Sequence, residues 1–169
     1  LALATPATAA LPQQSGSVDL FDEANVQFDG QAAGDHTGFD AAAAGDVNGD
    51  GIDDVIVSGD LADNNGRADS GSAYVIYGSA SPSTVDVGSL GAAGFRIDGE
   101  AVGDQLGISV AAAGDVNSDG RDDVIVAATA ADNNARADSG SAYVVYGSAN
   151  PSTLDLASLG TAGIRIDGA

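Results

Sequence analysis

The chain has 169 residues, with 25 acidic side chains against five arginines and no lysine, for a formal net charge of −20. A surface this acidic repels phosphate backbones and anionic lipid, which argues against nucleic acid partners and membrane insertion and favours hard cations. Without cysteine there is no disulfide framework and no thiolate metal site, and no apolar run approaches the roughly 18 residues of a membrane span.

High charge with few aromatics can mark disorder. Here 44% of the residues are hydrophobic, and they fall in short β-branched runs separated by glycine, so the chain reads as folded. Residues 1–25 differ from the rest. They open with "LALATPATAALPQQSG", an Ala/Pro/Thr-rich segment read as a linker that could dock on a neighbouring molecule. Ala7-Thr8-Ala9 resembles the end of a secretory signal, but the basic start and most of the apolar core are missing.

In chain order, the first strand-like run is "VQFDG" (26–30). Four more follow: "GFDAAAAG" (38–45), "DVIVSG" (54–59), "SAYVIYG" (72–78) and "GFRIDG" (94–99). The second of these is continuously apolar, as in a strand buried on both faces, and the fourth alternates with period two. The segment "VDVGSLGAAG" (85–94) has room for one short helical turn. All four runs then recur as "GISVAAAG" (107–114), "DVIVAA" (123–128), "SAYVVYG" (141–147) and "GIRIDG" (163–168). The period is 69 residues, and residues 30–98 match 99–167 at 48 of 69 positions. A whole structural unit has been duplicated. Four short strands per unit with glycine-rich turns describe one propeller blade. The expected fold is all-β: four-stranded antiparallel blades, two full copies plus a stray strand, with no complete ring in one chain. The boundaries fall at 1–25, 26–98 (stray strand and first blade) and 99–169 (second blade).

Between the first two strands of each blade lies an acid-rich loop, "GDVNGDGIDDVIV" (45–57) and "GDVNSDGRDDVIV" (114–126). Counting from Asp46, oxygen-bearing side chains stand at positions 1, 3, 5 and 9: Asp46, Asn48, Asp50 and Asp54. Gly51 at position 6 permits a sharp turn, and the carbonyl of Ile52 at position 7 offers a fifth oxygen. The second copy offers Asp115, Asn117, Asp119, the Arg121 carbonyl and Asp123. This is the front of a calcium loop, in which hard oxygens surround a hard cation. It is not an EF-hand: position 12 is Val57 or Val126, inside a strand, where that motif needs a bidentate Glu opening a helix. Mg²⁺ suits the loop less, because it demands a tight octahedron and keeps its waters. The expectation is two structural Ca²⁺ ions, which would take the formal charge from −20 to −16.

With these motifs the chain resembles the FG-GAP repeat family, the blades of integrin α-subunit propellers and their bacterial relatives. Gly38-Phe39 and Gly107-Ile108 stand at the "FG" position, and "AGD" at 44–46 and 113–115 stands at the "GAP" position with its last residue changed. The resemblance covers about residues 26 to 169. It implies ligands at the loop positions named above and an extracellular, secreted or surface-exposed, calcium-stabilised propeller that serves cell adhesion or acts as a scaffold.

Other candidates carry less. "ADNNGRADSG" (62–71) and its twin (131–140) read as solvated turns, since no wrapping glycine has the calcium-loop spacing, with a second cation site as the alternative. His36 aligns with Gln105, so it is not a catalytic base. With one histidine and no cysteine, no nucleophile–base–acid set can be assembled, and no enzyme activity is expected of these residues. Tyr74 and Tyr77, like Tyr143 and Tyr146, lie three apart in a strand and point to opposite faces, one of each pair into the core.

Two blades leave two apolar sheet faces uncovered, and repeat units bury their core only by stacking. The expected partners are other copies of the chain or further blades of a longer one, with a protein or glycan as an adhesion ligand. The leading function is therefore a calcium-binding propeller module of an extracellular adhesion or structural protein. Alternatives are a self-assembling subunit of an extracellular fibre, filament or surface array, and the accessory propeller of a secreted enzyme.

Overall fold

A computed structural model describes residues 27–81 and 83–169. The segment 1–25 and its expected docking role lie outside the described residues.

The described chain begins with a two-residue strand, β1 (Phe28–Asp29). The first blade follows as β2 (Ala41–Gly45), β3 (Asp54–Gly59), β4 (Ser72–Ile76), a short β5 (Val85–Asp86), and β6 (Gly94–Asp98). The second repeats it as β7 (Leu106–Gly114), β8 (Asp123–Ala128), β9 (Ser141–Val145), a short β10 (Leu154–Asp155), and β11 (Gly163–Asp167). In each blade the four longer strands pair antiparallel in sequence order, and no sheet closes on itself. The register is preserved: Val57 faces Tyr74 across β3 and β4, and Val126 faces Tyr143 across β8 and β9. The all-β, repeated-blade architecture expected from the sequence is the one observed.

The inner strands β3 and β8 match their expected limits to the residue, and β3 is buried along almost its whole length. Residues 85–94 hold two single 3-10 turns, Val87–Ser89 and Gly91–Ala93. The first is capped by Asp86, whose carboxylate accepts from the Gly88 N–H at 2.8 Å, and Asp155 caps the Leu156–Ser158 turn in the same way.

The short strands β5 and β10 were not foreseen. Each runs parallel to the last strand of the preceding unit, β5 along β1 and β10 along β6. The blades are therefore stitched together by a two-residue strand as well as by side-chain packing. Because neighbours in a strand point to opposite faces, each blade has two apolar surfaces. Ile56, Ala73, Val75, Phe95 and Ile97 of the first blade share one core with Leu106, Val110, Val124, Val126, Tyr143, Val145 and Leu156 of the second. Val57, Tyr74, Ile76 and Val87 form a smaller cluster on the far side of the first blade, with Phe28 packed against it. Each fully buried Val or Ile in these clusters contributes about 1.5–3 kcal/mol. Tyr74 and Tyr143 are buried, while Tyr77 lies half-buried against Phe95 on the opposite face, as the alternation required.

Candidate metal centre

The two acid-rich loops connect β2 to β3 and β7 to β8, so each lies at one end of its blade. A loop of this acidity cannot pack its carboxylates together without partners. Here the partners are its own backbone N–H groups. Asp46 Oδ1 accepts from Gly49 and Asp50 at 2.8 and 2.9 Å, and its Oδ2 accepts from Gly51 at 2.8 Å. Asn48 Oδ1 accepts from the Asp50 N–H at 2.8 Å, and Asp50 Oδ1 accepts from the Ile52 N–H at 2.9 Å. These bonds wind the chain around Asp46. Gly51 and its twin Gly120 have φ of 87° and 86°, the left-handed conformation that the sharp turn requires.

Asp54 is the first residue of β3 and is buried, with its two oxygens accepting from Val47 and Gly78 at 2.9 and 2.8 Å. It therefore ties the loop to the outer end of β4. Burial, reinforced by the nearby Asp50 charge, pushes its carboxyl above the ordinary value, against the pull of those two N–H groups.

The second loop repeats the network. Asp115 accepts from Asp119 and Gly120 at 3.0 and 2.9 Å, Asn117 accepts from Asp119 at 2.9 Å, and Asp119 accepts from Arg121 at 3.0 Å. Asp123 accepts from Val116 and Gly147, both at 2.9 Å. The structure thus places Asp46, Asn48, Asp50, Ile52 and Asp54 in one turn, and Asp115, Asn117, Asp119, Arg121 and Asp123 in its copy. Among the described residues, no three Asp, Glu or His side chains gather closely enough to hold a metal ion by themselves. The donor set read from the sequence is broader than such a group, because it includes an amide and a backbone carbonyl in each loop. In chemistry it fits a hard cation: every side chain in it offers oxygen, and Asp50 Oδ2 and Asp119 Oδ2 meet only a neighbouring Asn amide, at 2.8 and 3.0 Å.

Other features at this end of the blades escaped the sequence reading. Asp122, between two expected ligand positions, reaches across to the first loop and accepts from the Asp46 N–H at 2.9 Å. The Ser148 N–H donates to the Val47 carbonyl at 2.9 Å. The Arg121 side chain lies close to Gly49 of the first loop. The base of the first loop is thereby covered by the second blade: Val47 is fully buried, whereas its twin Val116 is 50% exposed. Doublets of Asp at 53–54 and 122–123 were the available signal, but ligand spacing drew attention only to the second member of each.

The loops at 62–71 and 131–140 are not simply solvated turns. Asn64 and Asn133 are buried, and their amides donate to the Gly71 and Gly140 carbonyls at 3.1 and 2.7 Å. Each loop closes on itself through paired backbone bonds, Asn64 with Arg67 and Asn133 with Arg136. Their acids hold the turn: Asp63 accepts from the Asp69 N–H, and Asp132 from the Asp138 N–H, both at 2.8 Å. His36 has φ of 57° and Gln105 has φ of 54°, so the two share a turn conformation rather than a chemistry. His36 Nδ1 lies 3.3 Å from Asp60 Oδ1.

Tandem four-stranded antiparallel blades, stitched edge to edge and each carrying an acid-rich loop between its first two strands, define a β-propeller-type repeat module. Comparison with protein-family models matches residues 38–76 and 106–145 to the FG-GAP repeat, so each blade carries one such repeat. No curated protein matches the chain. No helix among the described residues is long and apolar enough to cross a membrane.

Proposed function

We propose that the chain is a non-catalytic, calcium-binding propeller module of an extracellular adhesion or structural protein, in which the cation rigidifies each blade. The observation that carries this reading is the loop pair. Two connections 69 residues apart keep the same oxygen donors at five positions and wind through matching hydrogen bonds. A hard divalent cation supplies charge neutralisation where five oxygens crowd into nine residues. The chain's own contribution is to hold the loop ready, through Gly51 and Gly120 at the turn and through Asp54 and Asp123 at the strand ends. The extracellular placement is supported by the family, whose repeats typically occur in extracellular proteins.

Thermal unfolding with and without EDTA tests the cation. Extracellular calcium modules bind with Kd on the order of 0.1–1 mM, so millimolar Ca²⁺ raises the Tm and EDTA returns it. The double variant Asp50→Ala with Asp119→Ala loses that response while still unfolding cooperatively. A Tm indifferent to EDTA in the unmutated chain overturns the metal reading.

A second reading, assembly into a larger array, is favoured by one specific observation. Ile164 and Ile166 on the outer strand of the second blade are 43% and 51% exposed, whereas their twins Phe95 and Ile97 are buried.

A further inference from the structure

The contrast between those twins identifies a docking surface and what fits it. In the first blade, Ile56, Ala73, Val75, Phe95 and Ile97 form the face that the second blade covers. One period later the same face is formed by Ile125, Ala142, Val144, Ile164 and Ile166, and β11 lies at the open edge of its sheet.

What covers the first of these faces is visible in detail. Strand β10 lies parallel to β6, with Leu154 opposite Ile97 and Asp155 opposite Asp98. Two side chains from the 62–71 loop read the incoming aspartate. Arg67 Nη2 donates to Asp155 Oδ1 at 2.7 Å, and Asn65 Nδ2 donates to Asp155 Oδ2 at 3.2 Å. Leu156 then drops into the shared core. The docked element is thus an apolar–Asp–apolar segment, recognised by an edge strand, an Arg and an Asn.

The second blade carries the same reader. Asn134 and Arg136 are the twins of Asn65 and Arg67, and Ile166-Asp167 are the twins of Ile97-Asp98. Arg136 donates instead to the Gly168 carbonyl at 2.6 Å, in its own blade. The chain also holds a second apolar–Asp–apolar segment, Val85-Asp86-Val87, formed by β5 and the first residue of the turn after it. Among the described residues it is paired with the two-residue stub β1, Phe28 opposite Val85 and Asp29 opposite Asp86. That stub is the twin of Ile166-Asp167, two periods earlier.

We infer that the exposed face of the second blade binds the Val85-Asp86-Val87 segment of a second copy of this chain. Ile166-Asp167 of one molecule takes the place of Phe28-Asp29 in the next, and Arg136 and Asn134 grip Asp86. The exchange replaces a two-residue pairing with a whole blade-to-blade contact of the kind already present between the two repeats. The interface is heterologous, so copies add head to tail into a ring or an open fibre. It rests on the assembly reading above and is independent of the cation reading.

Sedimentation velocity over a wide concentration range, in millimolar Ca²⁺, tests it. The unmutated chain is expected to grow in mass with concentration. Arg136→Ala blinds the face, and Asp86→Asn weakens the strand while keeping the cap on Gly88, so each alone associates about tenfold more weakly or less. Mixed in equal amounts, the two variants retain one intact face and one intact strand per pair. The mixture therefore associates at the unmutated affinity and stops at about twice the chain mass of 16.4 kDa. A species of 16.4 kDa at every concentration overturns the inference. So does association that neither substitution weakens, or variants that fail to complement each other. Because the mixture must regain what each variant lost, misfolding of either one cannot imitate the expected result.

Discussion

The Asp122 N–H donates to the Asp46 carbonyl at 3.1 Å, and the Asp46 N–H donates back to the Asp122 carboxylate at 2.9 Å. One residue of the second acid-rich loop thus holds, from both sides, the residue around which the first loop winds. The clamp joins the two blades at their loop end, while β10 against β6 joins them at the outer edge.

Asp122→Ala removes the acceptor and leaves the Asp46 N–H part-buried and unpaired, at a cost of about 1–3 kcal/mol. The twin residue gives the control. Asp53 is exposed and makes no side-chain hydrogen bond among the described residues, so Asp53→Ala is expected to stay within about 0.5 kcal/mol of zero. Urea unfolding of both variants decides it, and equal losses would mean that the clamp contributes nothing.

The same contact sets apart two glycines. Gly45 and Gly114 are twins with φ of 74° and 69°, so an alanine at either carries similar backbone strain. A Cβ on Gly45 would fall 2.2 Å from Asp122 Oδ2, while one on Gly114 meets nothing within 4 Å. Gly45→Ala must therefore push Asp122 away and lower the Tm more than Gly114→Ala does. Adding Asp122→Ala to Gly45→Ala should recover most of the difference, a coupling that a double-mutant cycle reads directly.

The blades were legible because duplication made each strand count twice. The period, the four longer strands and the buried run at 54–59 and 123–128 all follow from repeated apolar stretches between glycines. The short strands β5 and β10 were not, for a physical reason. Two residues carry no periodicity, and their partners lie 57 residues upstream, Phe28 for Val85 and Ile97 for Leu154. The buried Asn64 and Asn133 were hidden for a related reason. An amide that satisfies a backbone carbonyl inside a loop has the same letter as one that faces water. Asp122 was concealed by the motif around it, since ligand spacing assigns the positions on either side and leaves the eighth unread.

Asp40 makes blade docking sensitive to acid. Its Oδ2 accepts from the Val110 N–H on the second blade at 2.9 Å, and this bond, the largest influence on it, holds the carboxyl below its ordinary value despite some desolvation. A depressed folded-state pKa stabilises the fold above the unfolded value of 3.8. That contribution is lost as the pH falls through the lower folded value. Asp35 and Asp104 are raised, chiefly by burial, and act in the opposite direction, so the net profile mixes the two signs. Comparison with Asp40→Asn isolates the one group. The unmutated chain should exceed the variant in Tm at pH 7, and the gap should close as the pH falls below about 4. A gap that stays constant with pH would remove the charge of Asp40 from the account.

The buried tyrosines differ in what their hydroxyls meet, although both stand at the same place in the repeat. Tyr143 Oη donates to Glu100 Oε2 at 2.7 Å, and that carboxylate is paired with Arg165 at 2.6 Å. Burial first, and Glu100 second, push the Tyr143 phenol upward, so it remains a donor across the neutral range. In the first blade Gln31 stands where Glu100 does, and its Oε1 is taken by Arg96 at 3.0 Å. The Tyr74 hydroxyl is buried without a hydrogen-bond partner among the described residues, although Ser72 stands near it. Removing a satisfied donor costs stability, whereas removing an unsatisfied buried one does not. Tyr143→Phe is therefore expected to lose about 1 kcal/mol. Tyr74→Phe should be neutral or stabilising, because the ring and its packing stay while the unpaired group goes. Chemical denaturation of the two single variants reads the contrast, and equal losses at both sites would show that the hydroxyl environments do not differ as the structure has them.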